Sequence, residues 1–180
     1  FGMDAIGEAF DKVARVMGMP YPGGAEMDRI AYEGDASYLK LPSAAIADDT
    51  LDFSFSGLKT AVINHLNTLS QKDIPYNRAD VAASFTQAVV SSVVKKLDMA
   101  LRRTGETKLV IAGGVAANSH IRNALDDYCK KHTNIRLYLP EKKLCGDNGA
   151  MIGAQGYYEY LAGNTADMEL NAYATLDIAE

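Results

Sequence analysis

Tryptophan is absent from the 180 residues, histidine occurs only three times and cysteine only twice. So few sulfur and imidazole ligands exclude a disulfide scaffold and a zinc-ribbon or finger domain. Cys129 and Cys145 have no metal-ligand spacing and agree with a reducing cytoplasm. There is no H-E-x-x-H stretch and no convincing nucleophile–base pair, which removes the protease chemistries. No apolar run approaches the roughly 18 residues of a membrane span, so no membrane is expected. The N-terminus shows no basic region followed by an apolar stretch. It has no initiator Met and enters a helix almost at once, as a piece of a longer chain would. Cations are outnumbered: 18 Lys and Arg against 23 Asp and Glu give a formal charge of −5. That argues against a broad nucleic-acid face while leaving room for a local basic patch. Neither G-x-G-x-x-G nor G-x-x-x-x-G-K-[ST] is present, so the standard phosphate-binding fingerprints are missing. What remains, 48% hydrophobic and 23% charged residues, is the composition of a folded, soluble domain with a real core.

Three stretches carry chemistry. In the first, the apolar run Lys108-Leu109-Val110-Ile111 leads through Gly113-Gly114 to Asn118-Ser119, which opens an amphipathic segment bearing Ile121, Leu125, Tyr128 and Cys129. Two adjacent residues without Cβ allow close approach to the main chain, and the helix start beyond them favours an anion. The turn is therefore either a phosphate or nucleotide contact or an ordinary tight connection of an α/β domain. In the second, Leu51 to Ser56 alternates apolar and polar residues, the period of a half-buried strand. It then becomes helical through Val62, Ile63, Leu66 and Leu69, with Ser56 as the expected N-cap. In the third, Asp147 stands where a helix begins, either as its N-cap or as a metal ligand. Gly149, Gly153 and Gly156 follow on one side of that helix. Such a stripe lowers helix stability unless another backbone or a ligand packs against it.

The remaining chain surrounds these. Residues 3 to 18 read as an amphipathic helix with Ile6, Phe10, Val13 and Met17 on its apolar stripe. Asp11 lies on the other face, pointing to solvent or to a ligand hydroxyl. A glycine–proline connection ends that helix, a second runs from about Ala25 to Tyr32, and the corner between Asp11 and Asp28 suits a sugar held between two acids. Residues 34 to 50 read as loop with a short strand near Tyr38 to Leu41. The longest helix spans about Arg78 to Arg103. Its basic residues Lys95, Lys96, Arg102 and Arg103 suit the negative end of a helix. A further strand is expected at Ile135 to Pro140, and a surface-lying tail after Gly163.

Taken together, Ala9-Phe10-Asp11-Lys12-Val13-Ala14, Tyr21-Pro22-Gly23-Gly24, Phe53 to Thr60, Gly113-Gly114-Val115-Ala116-Ala117-Asn118 and Cys145 to Ile152 resemble the TsaD family, in order and at similar spacing from Asp4 to about Gly163. These are the tRNA threonylcarbamoyladenosine transferases, once called glycoproteases. The resemblance implies the α/β fold shared by actin, hexokinase and the heat-shock ATPases (ASKHA), two lobes with a nucleotide between them. This chain would be chiefly the second lobe, divided as a helical segment and linker at 1–50, an α/β lobe at 51–163 and a tail at 164–180. By the same likeness Asp11, Gly24 and Asp28 hold the ribose and nucleoside of an adenylate, beside Gly113, Gly114 and Asn118. Asp147 would ligate one divalent metal, iron or zinc. The family's paired histidines lie in an HxxxH stretch upstream of this sequence, and His65, His120 and His132 are too far apart to replace it. Gly146 and Gly149 stand where the family often has Thr and Ala.

The implied reaction moves a threonylcarbamoyl group from threonylcarbamoyl-AMP to N6 of adenosine 37 in tRNAs reading codons that begin with A. The implied partners are that adenylate, tRNA, an inactive paralogue subunit and an accessory P-loop ATPase, in the cytoplasm. Alone, the chain is expected to be inactive. Two other readings stand beside this one, a non-catalytic paralogue that scaffolds the active subunit and a small-molecule kinase of the same fold.

Overall fold

The computed structural model describes residues 6–44 and 50–172. The start of the first predicted helix, Asp4, and the end of the predicted tail lie outside the described residues. One compact unit runs to Gly146 and a second begins at Asp147.

The first unit is mostly helical. Its α1 (Ile6–Val16) buries Ala9, Phe10, Val13 and Ala14 along the expected stripe and stops before Gly18, whose φ of 74° only glycine adopts without strain. Next come α2 (Gly24–Ile30) and a 3-10 turn at Ala31–Glu33, in place of one continuous helix. In α3 (Ser56–Gln71), Leu58, Val62 and Leu66 are buried, and α1 packs against it. The long α4 (Arg78–Thr104) is capped at its start by Asn77, whose side chain accepts from Ala79 N at 3.0 Å, and ended by left-handed Gly105. Its buried face carries Val81, Phe85 and Val89, and the Phe85 ring meets Phe10 edge-on at 5.0 Å. That contact joins the core to the wall of the cavity described below. The sheet is small: β1 (Lys108–Val110) pairs in parallel with β2 (Arg136–Tyr138), Leu109 opposite Leu137. Between them lie a 3-10 turn at Gly114–Ala117 and α5 (Ser119–Lys131), entered through Gly113, whose φ is 86°. A second loop and 3-10 turn (Lys142–Leu144) close the unit.

Several expectations need correction. No strand forms at Tyr38 to Leu41; there Leu39 N donates to the buried Ser84 hydroxyl of α4, 3.1 Å, and the chain follows the helix instead. Among the described residues the alternating run Leu51 to Phe55 shows only a single bridge, at Phe53, with Ser54 N donating to Ala44 O at 2.8 Å. Phe55, buried, takes the N-cap position expected of Ser56. Lys96 does not serve the helix end. It is 2% exposed and donates to the Thr50 carbonyl, tying the loop before α3 to the middle of α4.

α4 and α5 are joined by Asp98, which accepts from Tyr128 OH at 2.8 Å and from Arg102 at 2.7 Å. The Arg102 guanidinium and then the Tyr128 hydroxyl hold the Asp98 carboxyl below the usual carboxylate range. Burial, then the same carboxylate, pushes the Tyr128 phenol up to about 12. A lowered folded pKa stabilises above the unfolded value and ceases to do so as pH falls through the folded one. Tyr128→Phe should therefore cost about 1 kcal/mol near neutral pH, a difference that shrinks in denaturation curves taken below about pH 4.

In the second unit, α6 (Gly149–Leu161) buries no residue, and Met151, Ile152, Tyr157, Tyr158, Tyr160 and Leu161 are exposed. Its N-cap is Asn148, which accepts from Met151 N at 2.8 Å, not Asp147. No described atom lies within 4 Å of where a Cβ would stand on Gly149, Gly153 or Gly156, so the stripe meets no packed backbone. No helix among the described residues is long and apolar enough to cross a membrane.

Candidate functional site

A cavity of about 800 Å³ opens in the first unit between α1, α2, the glycine turn, the start of α5 and the loop after β2. Gly7, Phe10, Pro22, Ala25, Val115 and Ala117 give it apolar walls; Asp11, Asp28, Asn118 and Lys142 give it polar ones. Five residues singled out in the sequence, Asp11, Gly24, Asp28, Gly114 and Asn118, line it together. They come from three separate stretches of the chain.

Each acid is held by a helix start. Asp11 is half-buried rather than solvated, and its Oδ1 accepts from Gly23 N at 2.8 Å and Gly24 N at 3.2 Å, capping α2 from α1. Asp28 repeats the arrangement one helix on: its Oδ1 accepts from Ser119 N at 2.9 Å and His120 N at 3.5 Å, the first turn of α5. A carboxylate there complements the positive end of the helix and satisfies donors that the helix leaves open. Asn118 caps α5 locally, accepting from Ile121 N at 2.9 Å. Among the described residues the Oδ2 of Asp11 and of Asp28 accepts no hydrogen bond, so each acid keeps one oxygen for a donor in the cavity.

The glycines divide by role. A Cβ on Gly23 would stand 2.2 Å from that of Ala14, so Gly23 lets α2 start hard against α1. A Cβ on Gly24 or Gly114 would meet nothing within 4 Å, and both residues face the cavity. Gly113 does not line it; with φ 86° it bends the chain so that Gly114 does.

Tyr32 and His120 brace this corner. Their rings stack at 3.9 Å, Tyr32 OH shares a hydrogen with Ser119 Oγ at 2.8 Å, and Asn123 Nδ2 donates to Tyr32 OH at 3.1 Å. Sequence reasoning missed Tyr32, Phe10 and Lys142. The first two looked like ordinary helix residues, and Lys142 lies far along the chain in a loop without periodicity.

A model of the family tRNA N6-adenosine threonylcarbamoyltransferase, TsaD, matches residues 2–154. The chain belongs to the TsaD family. Proteins of that name from Staphylococcus aureus strains Newman and USA300 are each 48% identical to it over 177 residues, 98% of this chain and 51% of theirs. The protein from the bovine strain RF122 / ET3-1 gives the same figures. This TsaD-family chain thus spans about half the length of the curated relatives it matches. The family implies an ASKHA-type fold, and the structure is α/β, mostly helical, with its small parallel sheet.

Asp147 is exposed and belongs to the second unit. Among the described residues no three His, Cys, Asp or Glu side chains gather where they could hold a metal ion. The histidines are engaged elsewhere: His65 beside Tyr38, His120 on Asp28 O at 3.1 Å, His132 on Tyr128 O at 2.9 Å. The donors among the described residues of this TsaD-family chain do not by themselves fit a metal centre.

Proposed function

We propose that this chain is the adenylate-binding part, chiefly the second ASKHA lobe, of an enzyme that transfers threonylcarbamoyl from threonylcarbamoyl-AMP to N6 of adenosine 37 in tRNA. The observation that carries the reading is the convergence of Asp11, Gly24, Asp28, Gly114 and Asn118 on one cavity in a chain that belongs to the TsaD family.

The chemistry asks little of this half beyond binding and orientation. The apolar wall of Phe10, Pro22 and Val115 suits the adenine ring, and the spare carboxylate oxygens of Asp11 and Asp28 suit ribose hydroxyls, which donate to them. Gly24 and Gly114 leave the room that these contacts need. With the AMP portion fixed, the carbamoyl carbonyl is presented to the incoming N6 amine. The new C–N bond forms as the C–O bond to AMP breaks, the amine proton is lost, and AMP leaves with the phosphate as the better anion. Fixing the donor turns a two-body encounter into attack on an oriented group, the entropic contribution that a binding half supplies.

Asp147 is proposed as one carboxylate ligand of a divalent metal, iron or zinc, with histidines supplied from outside this sequence. An inactive paralogue subunit, an accessory P-loop ATPase and the cytoplasm complete the proposed setting.

The test uses the full-length protein with threonylcarbamoyl-AMP carrying labelled threonine and an unmodified tRNA that reads ANN codons. Label should enter the tRNA at adenosine 37 and AMP should appear in equal amount. Adenylate binding without transfer would favour the scaffold, and ATP-dependent phosphorylation of a small alcohol would favour the kinase.

A further inference from the structure

The cavity holds two carboxylates, and the ligand proposed for it carries a phosphate. Asp11 and Asp28 would repel that anion, and a cation among the lining residues would offset them. Among the described lining residues there is a single Lys or Arg, Lys142.

Its position is built rather than incidental. Lys142 opens the 3-10 turn Lys142–Leu144, and one guanidinium on α5 contacts the backbone before that turn and a side chain after it. Arg122 Nη2 donates to Pro140 O at 2.6 Å and to Cys145 Sγ at 3.2 Å, and its Nε donates to Ala116 O in the glycine turn. Cys145 is 4% exposed and anchors the far end. The same guanidinium therefore sets the distance between the glycine turn and the lysine. The neighbouring Lys143 pairs with Glu141 at 2.9 Å. Lys142 has no ion-pair partner among the described residues, although both Asp11 and Asp28 line the same cavity.

We propose that the Lys142 ammonium binds the phosphate of the adenylate, holding it opposite the two carboxylates that take the sugar. The inference rests on the function proposed above and adds the group that makes the site select a nucleotide over a nucleoside. A flexible ammonium matches a phosphate as a point charge, and charge-assisted hydrogen bonds of this kind are the strong ones.

The experiment compares AMP with adenosine, which differs only in lacking the phosphate, by equilibrium titration of the full-length protein. Lys142→Gln keeps a polar side chain with part of the stem and removes the charge. It should weaken AMP about tenfold and leave adenosine unchanged, while Lys142→Arg keeps most of the AMP affinity. Lys142 is exposed, so both variants should melt with the parent. Equal AMP affinity in Lys142→Gln would overturn the assignment. Equal weakening of AMP and adenosine would overturn it too, by showing that the lysine only shapes the cavity; so would an effect confined to tRNA binding. If the unaltered protein bound neither AMP nor adenosine, the proposed function itself would fall, an outcome distinct from those.

Discussion

Gly34→Ala is expected to cost about 3 kcal/mol or more, at or beyond the upper end of ordinary overpacking. A Cβ at this position would lie 2.0 Å from Ala79 O, 2.2 Å from Ala79 C and 2.6 Å from Asp80 N. All three are backbone atoms of the first turn of α4, so none can rotate aside. The backbone at Gly34 is extended, φ −107° and ψ 167°, which any residue adopts; the demand is for space alone. Asp35 N donates to Asp80 Oδ1 at 2.8 Å, which locks the same approach from the next residue. Relief would require the chain to lift off α4, and the 3-10 turn just before it carries Tyr32, which braces the start of α5. Stability and adenylate binding should therefore fall together. Gly57→Ala is the control: it lies in α3 with nothing within 4 Å of its Cβ site, and helix propensity makes it neutral to stabilising by up to about 1 kcal/mol. Urea denaturation of the two variants beside the parent reads both effects.

Gly114→Leu should do the opposite, sparing the fold and abolishing binding. Its Cβ would enter open space and its φ is not left-handed, so the melting temperature should stay near that of the parent. The added side chain would fill part of the cavity that Gly114 lines. A loss of at least about 100-fold in AMP affinity is expected, since the blocked contacts include the charge-assisted ones. Gly113→Leu would be a poor substitute, because φ 86° there penalises any side chain and the result would mix strain with occlusion. Asn118→Ala is similarly mixed: it removes the cap of α5, worth about 1 kcal/mol, as well as a cavity contact. An effect on adenylate affinity from that substitution needs a stability measurement beside it.

Much of the helical frame is legible in the residues because apolar periodicity reports directly on burial. The stripes of α1, α3 and α4 bury as the spacing of Phe10 and Val13, Val62 and Leu66, and Phe85 and Val89 predicts, with Leu58 added to the buried face of α3. Gly18 and Gly105 end helices where a left-handed residue is needed. The candidate site was legible as a set of acids and glycines but not as an arrangement. Asp11 caps a helix that begins thirteen residues later, and Asp28 one that begins ninety-one residues later; no local pattern encodes such partners. Capping positions slipped by one residue at Ser56 and Asp147, where Phe55 and Asn148 take the role. At Phe55 burial decides the matter over side-chain capping chemistry. At Tyr38 to Leu41 and Leu51 to Phe55 the residues suit short strands, yet the described hydrogen bonds there go elsewhere. The side chains of α4 and the backbone at Ala44 claim these segments first. Lys96 read as one of several end-of-helix cations because a buried lysine and an exposed one look alike in sequence; only the carbonyl of Thr50 distinguishes it.

The central claim is that the cavity between Asp11, Asp28 and the glycine turn receives an adenylate. The most direct measurement is the backbone amide spectrum of the isotope-labelled full-length protein as AMP is added, for the parent and for Gly114→Leu. The account predicts that the amides of Gly24, Gly114, Val115 and Ser119 shift and saturate together in the parent and stay still in the variant. Saturating shifts that cluster elsewhere, or that survive unchanged in Gly114→Leu, would contradict it.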